Sequence, residues 1–201
     1  MEEIISKEEL EEFKKIKGEI RGMALKSALD FVLKREGRDG LRKVENVMID
    51  LGYPVEHNKI NIMNFYSLIV ETILFAVIKE LFNYNEKDFY EMGEFQFRMP
   101  ITIRLYMKYL SSVNSVVKAA SKMYRIYFTI GNLGISEYNE KEKYMIVKLE
   151  DFYFHAAYLY CQIFRGFFPS VIQMVVKTPV SCEETKCVHR GDKYHEFLLK
   201  W

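Results

Sequence analysis

The chain has 201 residues, with 29 Lys+Arg against 28 Asp+Glu and a formal net charge of +1 at pH 7. Lys and Glu are interspersed without a basic face, which argues against nucleic acid as a partner. The length suits one domain with its own core. No run of ~18 uninterrupted apolar residues predicts a membrane span. The opening MEEIISKEELEEF is too acidic and too short in apolar run to read as a signal peptide. Three cysteines is an odd count, which argues against a disulfide framework and for a reducing, cytoplasmic setting.

A charged helix is predicted over Glu2–Lys15, and the capping box of Ser6 and Glu9 starts its regular part at Lys7. A second helix, Arg21–Arg35, carries Met23, Ala24, Ala28, Phe31 and Val32 on one side, with Gly37 just past its end. A third, Leu41–Leu51, stops at Gly52 before Pro54. Phe65–Phe82 is apolar almost all round, interrupted by Glu71, Thr72, Lys79 and Glu80, as expected of the central helix of a bundle. Asn85 caps a helix from Glu86 to about Phe97, Pro100 breaks it, and Ile101–Ser112 and Ser115–Tyr124 read as two more.

The pattern then changes. Arg125–Ile130 is rich in β-branched and aromatic residues, and Leu133–Tyr138 and Tyr144–Glu150 read as strands around the turn at residues 139–142. Helical period returns at His155 and runs to Val176, with a kink or break expected near Phe168 because of Pro169. Lys177–Val180 and His195–Leu199 read as a closing hairpin with its turn at Gly191-Asp192. The predicted class is α+β: an N-terminal helical bundle packed on a small antiparallel sheet, with a long helix before the final hairpin.

That hairpin carries the pattern Cys182-x4-Cys187-x-His189-x5-His195. Thiolate sulfur and imidazole nitrogen are the ligands a structural zinc ion takes in a closed tetrahedral set. By spacing, the fourth ligand is either His189 in the same loop or Cys161 from the preceding helix.

Cys161-x4-Gly166-Phe167 is followed by Glu184, Cys187, Gly191, His195 and Phe197 in an E-x2-C-x3-G-x3-[CH]-x-F ending, then by Trp201. This resembles the 4-vinyl reductase small-molecule-binding domain, a family in the superfamily of the haem–nitric-oxide-binding and vesicle-tethering domains. Gly18–Gly37 is similar, more loosely, to the family's first core helix. The resemblance covers residues 17–201 and leaves residues 1–16 as an N-terminal helical extension. It implies a metal cluster whose ligands become Cys161, Cys182, Cys187 and His195, the last standing where most relatives carry cysteine. His189 and His155 are the alternatives to Cys161. Four protein ligands leave no open position for water or substrate, so a zinc held this way is structural. Lys177, Lys186, Arg190 and Lys193 lie close enough in sequence to offset its net negative charge.

Catalytic machinery is not expected. No G-x-G-x-x-G follows a strand, Gly131-Asn-Leu-Gly134 is too short to be one, and no Walker loop, G-x-S-x-G or HExxH occurs. The adjacent Glu183 and Glu184 read as a solvated loop, and His57 and His155 have no supporting motif. Haem is not expected either, because residues 124–138 lack the Tyr-x-Ser-x-Arg run of the haem-binding relatives. The resemblance implies instead an apolar pocket for a hydrophobic small molecule: a tetrapyrrole precursor, a lipid or another hydrocarbon. Phe65, Ile69, Ile73, Phe75, Tyr106, Met107 and Tyr124 are the expected lining. The alternatives are a tethering-like interaction protein with a filled core, for which a homodimer is the natural assembly, and a reductase fed by a diffusible or partner-bound electron donor.

Overall fold

A computed structural model describes residues 4–98, 112–152 and 158–201. The predicted helix at Ile101–Ser112, with Tyr106 and Met107, therefore lies almost wholly outside the described residues, as does His155. Helix α1, Lys7–Phe13, begins where the capping box places it, the Ser6 hydroxyl accepting from the Glu9 amide at 3.1 Å. Its Phe13 is fully buried, so this segment is packed into the common core. Strand β1, Glu19–Arg21, leads into α2, Gly22–Asp50. Helix α2 is interrupted at Gly37, whose φ of 73° and ψ of −172° are non-helical. The glycine expected to end one helix thus acts as the hinge between two nearly continuous ones.

Strand β2, Phe65–Ser67, pairs antiparallel with β1, and only then does the apolar helix α3, Leu68–Phe82, begin. The expected helical start at Phe65 is corrected by this pairing, and Ser67 caps the helix through the Ile69 amide. Helix α4, Glu86–Arg98, follows, with the Asn85 side chain accepting from the Lys87 amide at 2.8 Å. Helix α5 spans Val113–Tyr127, three residues beyond the expected end. There Val116, Ala120, Tyr124 and Tyr127 recur at helical spacing toward the interior, and that burial overrides the β propensity read into Arg125–Ile130. Phe128 is then extended and bridges to Ile20.

Four antiparallel strands, β3 (Asn132–Asn139), β4 (Tyr144–Glu150), β5 (Ser181–Lys186) and β6 (His195–Lys200), form one sheet in the order β3-β4-β6-β5. Between β4 and β5 lies helix α6, Tyr158–Val176, which runs on through Pro169. The strand expected at Lys177–Val180 starts later, at Ser181. Lys177 takes a left-handed φ of 58° as the chain leaves the helix, and Pro179 has no amide to give a ladder. Helix α6 is long and apolar enough to cross a membrane by length and composition, yet 56% of it is buried inside the protein, as suits a core helix.

Helices α4 and α6 cross at backbone contact. A Cβ added at Gly93 would lie 2.1 Å from the Ile163 carbonyl oxygen, and one added at Gly166 would lie 2.1 Å from that of Tyr90. The glycine of the Cys161-x4-Gly166 motif is therefore a packing requirement. Replacing either residue by alanine forces the helices apart, and Gly166→Ala or Gly93→Ala should lower unfolding stability by about 2–3 kcal/mol in urea denaturation. An unchanged midpoint would contradict this packing.

Candidate functional site

Two chemically distinct places adjoin α6, and consecutive residues, Tyr160 and Cys161, serve them.

The first is a cavity of about 330 Å³ where α2, α3, α5 and α6 meet the sheet. Its described walls are mainly aliphatic and aromatic, among them Met23, Phe75, Met123, Val147, Phe164 and Phe168, with Gln96 of α4 as a neutral polar member. Of the expected lining residues, Phe75 and Tyr124 face it; Phe65, Ile69 and Ile73 do not, and Tyr106 and Met107 are outside the described residues. The polar groups on these walls were not evident from the sequence. The hydroxyls of Ser27 and Tyr127 are buried with no hydrogen-bond partner. The Tyr124 hydroxyl is spent on the Ile130 carbonyl at 2.9 Å. Glu71, 1% exposed, accepts from the Tyr160 hydroxyl at 2.8 Å. Burial raises the Glu71 carboxyl to about 8, against the opposing pull of the Tyr160 hydrogen bond, so near pH 7 it is protonated and neutral. Its one sequence signal is a lone acid in an otherwise apolar helix.

The second place is a cluster. Cys161 of α6, Cys187 in the loop just past β5, His195 of β6 and Glu184 of β5 present ligand atoms all within 4.8 Å of one another. Cys161 Sγ lies 3.8 Å from Cys187 Sγ and 3.6 Å from His195 Nδ1, and His195 Nδ1 lies 3.1 Å from Glu184 Oε1. Ligands bonded at ~2.0–2.3 Å to a tetrahedral ion sit roughly 3.3–3.8 Å apart, so this spacing could hold one. The His195 Nε2–H donates to the Phe152 carbonyl at 3.1 Å, which leaves Nδ1 directed at the cluster. Either a proton on Nδ1 or a cation between the groups satisfies its contact with Glu184.

Burial raises the Cys161 and Cys187 thiols, and the Glu184 charge raises them further, so both are protonated unless a cation enters. Burial alone would also raise Glu184; hydrogen bonds with His195 and Cys161 outweigh it and hold the carboxyl below its usual range.

The structure thus brings together Cys161, Cys187 and His195 from the expected set, with Glu184 as the fourth group. Cys182 is not in the cluster. It lies one strand repeat earlier on the same face of β5, in register with Leu199, and Arg165 partly offsets the burial that pushes its thiol up to about 12. Glu184, expected in a solvated loop, faces inward beside Phe197 of β6, next to the bulge between Glu184 and Lys186. His189 is nearby, its ring centroid 5.9 Å from that of His195, but outside the four. Of the expected compensating cations, Arg190 donates to the Glu184 carbonyl at 2.8 Å, whereas Lys186 is engaged by Glu196 and Tyr194. His57 is a structural clasp: its Nε2 meets Asp30 at 2.6 Å and its backbone amide donates to Glu45 at 2.8 Å.

No protein-family model matches the chain, and no curated protein matches it in sequence. Solved structures do match. An H-NOX protein from S. oneidensis in the Fe(II)NO ligation state has 11% identity and a TM-score of 0.67, covering 90% of this chain and 98% of its own. An Fe(II) unliganded H-NOX protein from K. algicida has 10% identity and a TM-score of 0.63, over 90% and 96%. A structure described as modulating heme redox potential through protein-induced porphyrin distortion has 12% identity and a TM-score of 0.64, over 90% and 100%. The fold is therefore that of the H-NOX domains. The same neighbours overturn the expectation of zinc as the cofactor with haem excluded. At such low identity a backbone persists while a short side-chain motif changes, so a missing Tyr-x-Ser-x-Arg run does not set a chain apart from haem proteins.

The buried carboxyl gives a signed prediction. Glu71 binds its proton near pH 8 when folded and near 4.5 when unfolded. Between these values the folded state holds more protons, so its stability falls as pH rises from about 5 to 8 and then levels. Glu71→Gln removes that loss. The variant should be more stable than wild type by about 4 kcal/mol at pH 8 and nearly equal to it at pH 4.5. A variant less stable by the same amount at both pH values would contradict the assignment.

Proposed function

We propose that this chain is a small-molecule-binding domain of the 4-vinyl reductase type, whose cavity takes an apolar ligand and whose cysteine–histidine cluster ties the closing hairpin to α6. The observation that carries the reading is the apolar cavity of about 330 Å³ at the junction of helices and sheet, within the size range of ligand pockets. An empty apolar space costs stability, and two buried hydroxyls inside it lack partners; a ligand answers both. Tetrapyrroles belong to this class. The described lining suits their apolar plane and offers an iron one unpartnered phenol oxygen, on Tyr127, but supplies no Lys or Arg for carboxylates and no His. Haem is accordingly the first member of the class to titrate, beside a neutral probe. Saturable binding of 1-aminoanthracene or of haem is expected, weakened at least about tenfold by the cavity-filling Ala120→Trp in a folded protein. No saturable binding to either would favour the tethering-like reading with a filled core.

The cluster supports a structural metal ion of unspecified identity. Two thiolates, an imidazole and a carboxylate make a closed set, so the ion's effect is on folding rather than on substrate. Titration with Co(II), followed by its thiolate charge-transfer absorption, should give about one equivalent per chain. Cys161→Ala and Glu184→Gln should weaken binding at least about tenfold, and Cys182→Ala and His189→Ala should leave it within about twofold. Equal losses in Cys182→Ala and Glu184→Gln would show that another set of four is used.

A further inference from the structure

The cavity's polar groups are arranged in a way that names its ligand more closely. Ser27 on α2 and Glu71 on α3 are 3% and 1% exposed, and both line the space. At the other extreme Met63 and Ile126, which also line it, are 59% and 38% exposed and so mark its opening. Arg21 clasps the two sides of that opening. Its guanidinium donates to the Ile126 carbonyl at 2.9 Å and to the Met63 carbonyl at 2.5 Å, and lies 3.8 Å from the Phe65 ring centroid. The space thus has a deep wall bearing neutral hydrogen-bonding groups and a mouth bearing the Met63 and Ile126 side chains, beside which the Arg21 guanidinium is held by two backbone carbonyls.

Each deep group has defined capacity. The Ser27 hydroxyl has no partner, and neither does that of Tyr127. The Tyr160 hydroxyl donates to Glu71 Oε2, which leaves the carboxyl's own O–H for another acceptor. All of these are neutral donors or donor–acceptors. Among the described lining residues no side chain is basic, so a carboxylate brought inside would lose its water without gaining a counter-charge. An ammonium would have to strip the proton from Glu71 and then hold a fully buried ion pair, whose desolvation opposes its attraction. A carbonyl or hydroxyl oxygen needs neither step.

We propose that the cavity selects a neutral, oxygen-bearing hydrocarbon, an alcohol or ketone with an apolar tail, which enters head first so that its oxygen meets Ser27, Glu71 and Tyr127 and its tail lies under Met63 and Ile126. This rests on the reading of the cavity as an apolar ligand site and adds the chemistry and direction of the ligand.

The test uses the full-length protein loaded with 1-aminoanthracene and displaced at pH 7 by decanol, 2-decanone, decanoate and decylammonium. The two neutral compounds should displace the probe at concentrations about tenfold lower than either ion. Ser27→Ala and Tyr127→Phe remove one hydroxyl each with little change of shape, and each should cut the preference for decanol over decanoate about threefold. Glu71→Gln keeps a donor and should retain the preference, whereas Glu71→Leu should reduce it. A merely structural role for these side chains would not move that ratio. Decanoate or decylammonium binding as tightly as decanol overturns the proposal while leaving the cavity reading intact, as does an unchanged ratio in both hydroxyl variants. Failure of both 1-aminoanthracene and haem to bind overturns both.

Discussion

Backbone contact between α4 and α6 sets the position of the one helix that serves both the cavity and the cluster. With Gly93 against Ile163 and Gly166 against Tyr90, the two helices approach more closely than any side chain would allow. That approach fixes α6 across the sheet. Successive helical residues point about 100° apart, so Tyr160 can face the cavity while Cys161 faces the end of the closing hairpin. Pressure on the crossing would disturb both places at once, which is why a glycine remote from any ligand atom belongs to the functional description.

The two places differ in how they handle buried polarity. At the cluster, polar atoms are concentrated and mutually engaged: His195 is held by Phe152 on one nitrogen and meets Glu184 and Cys161 on the other. Such an arrangement suits a cation, because one positive charge would satisfy two thiols, a carboxylate and an imidazole together. In the cavity the polar groups are sparse and partly unsatisfied, set in apolar walls. Unmade hydrogen bonds in that setting cost stability of the empty protein and become affinity for a molecule that makes them. One region is built to hold itself together, the other to be completed.

Local signals were the legible ones. The capping box at Ser6 and Glu9, the alternation in Tyr144–Glu150 and the turn glycine Gly191, with its φ of 95°, each act within a few residues and appear where the sequence places them. Cys187 and His195 were legible from their spacing, whereas choosing Cys161 over His189 took the resemblance, since that choice joins a residue on a helix to a loop and a strand. Glu184 and Cys182 were harder to tell apart. Both lie on the inward face of β5, and the pairing register with β6 decides which one stands beside His195. The cavity was less legible still. Whether an apolar side chain fills a core or lines a space depends on how several elements pack, so Phe75 faces the cavity and Ile73 on the same helix does not. For haem, the absence of one short motif decides nothing, because the backbone is shared at 11–12% identity with H-NOX and heme-protein structures.

A crystal structure of the protein soaked with a long-chain alcohol brominated at its far end addresses the central claim most directly. The expected result is one anomalous bromine peak beneath Met63 and Ile126, with the alcohol oxygen within hydrogen-bonding distance of Glu71 or Ser27. A core filled by side chains, with no anomalous peak between α2, α5 and the sheet, would contradict it.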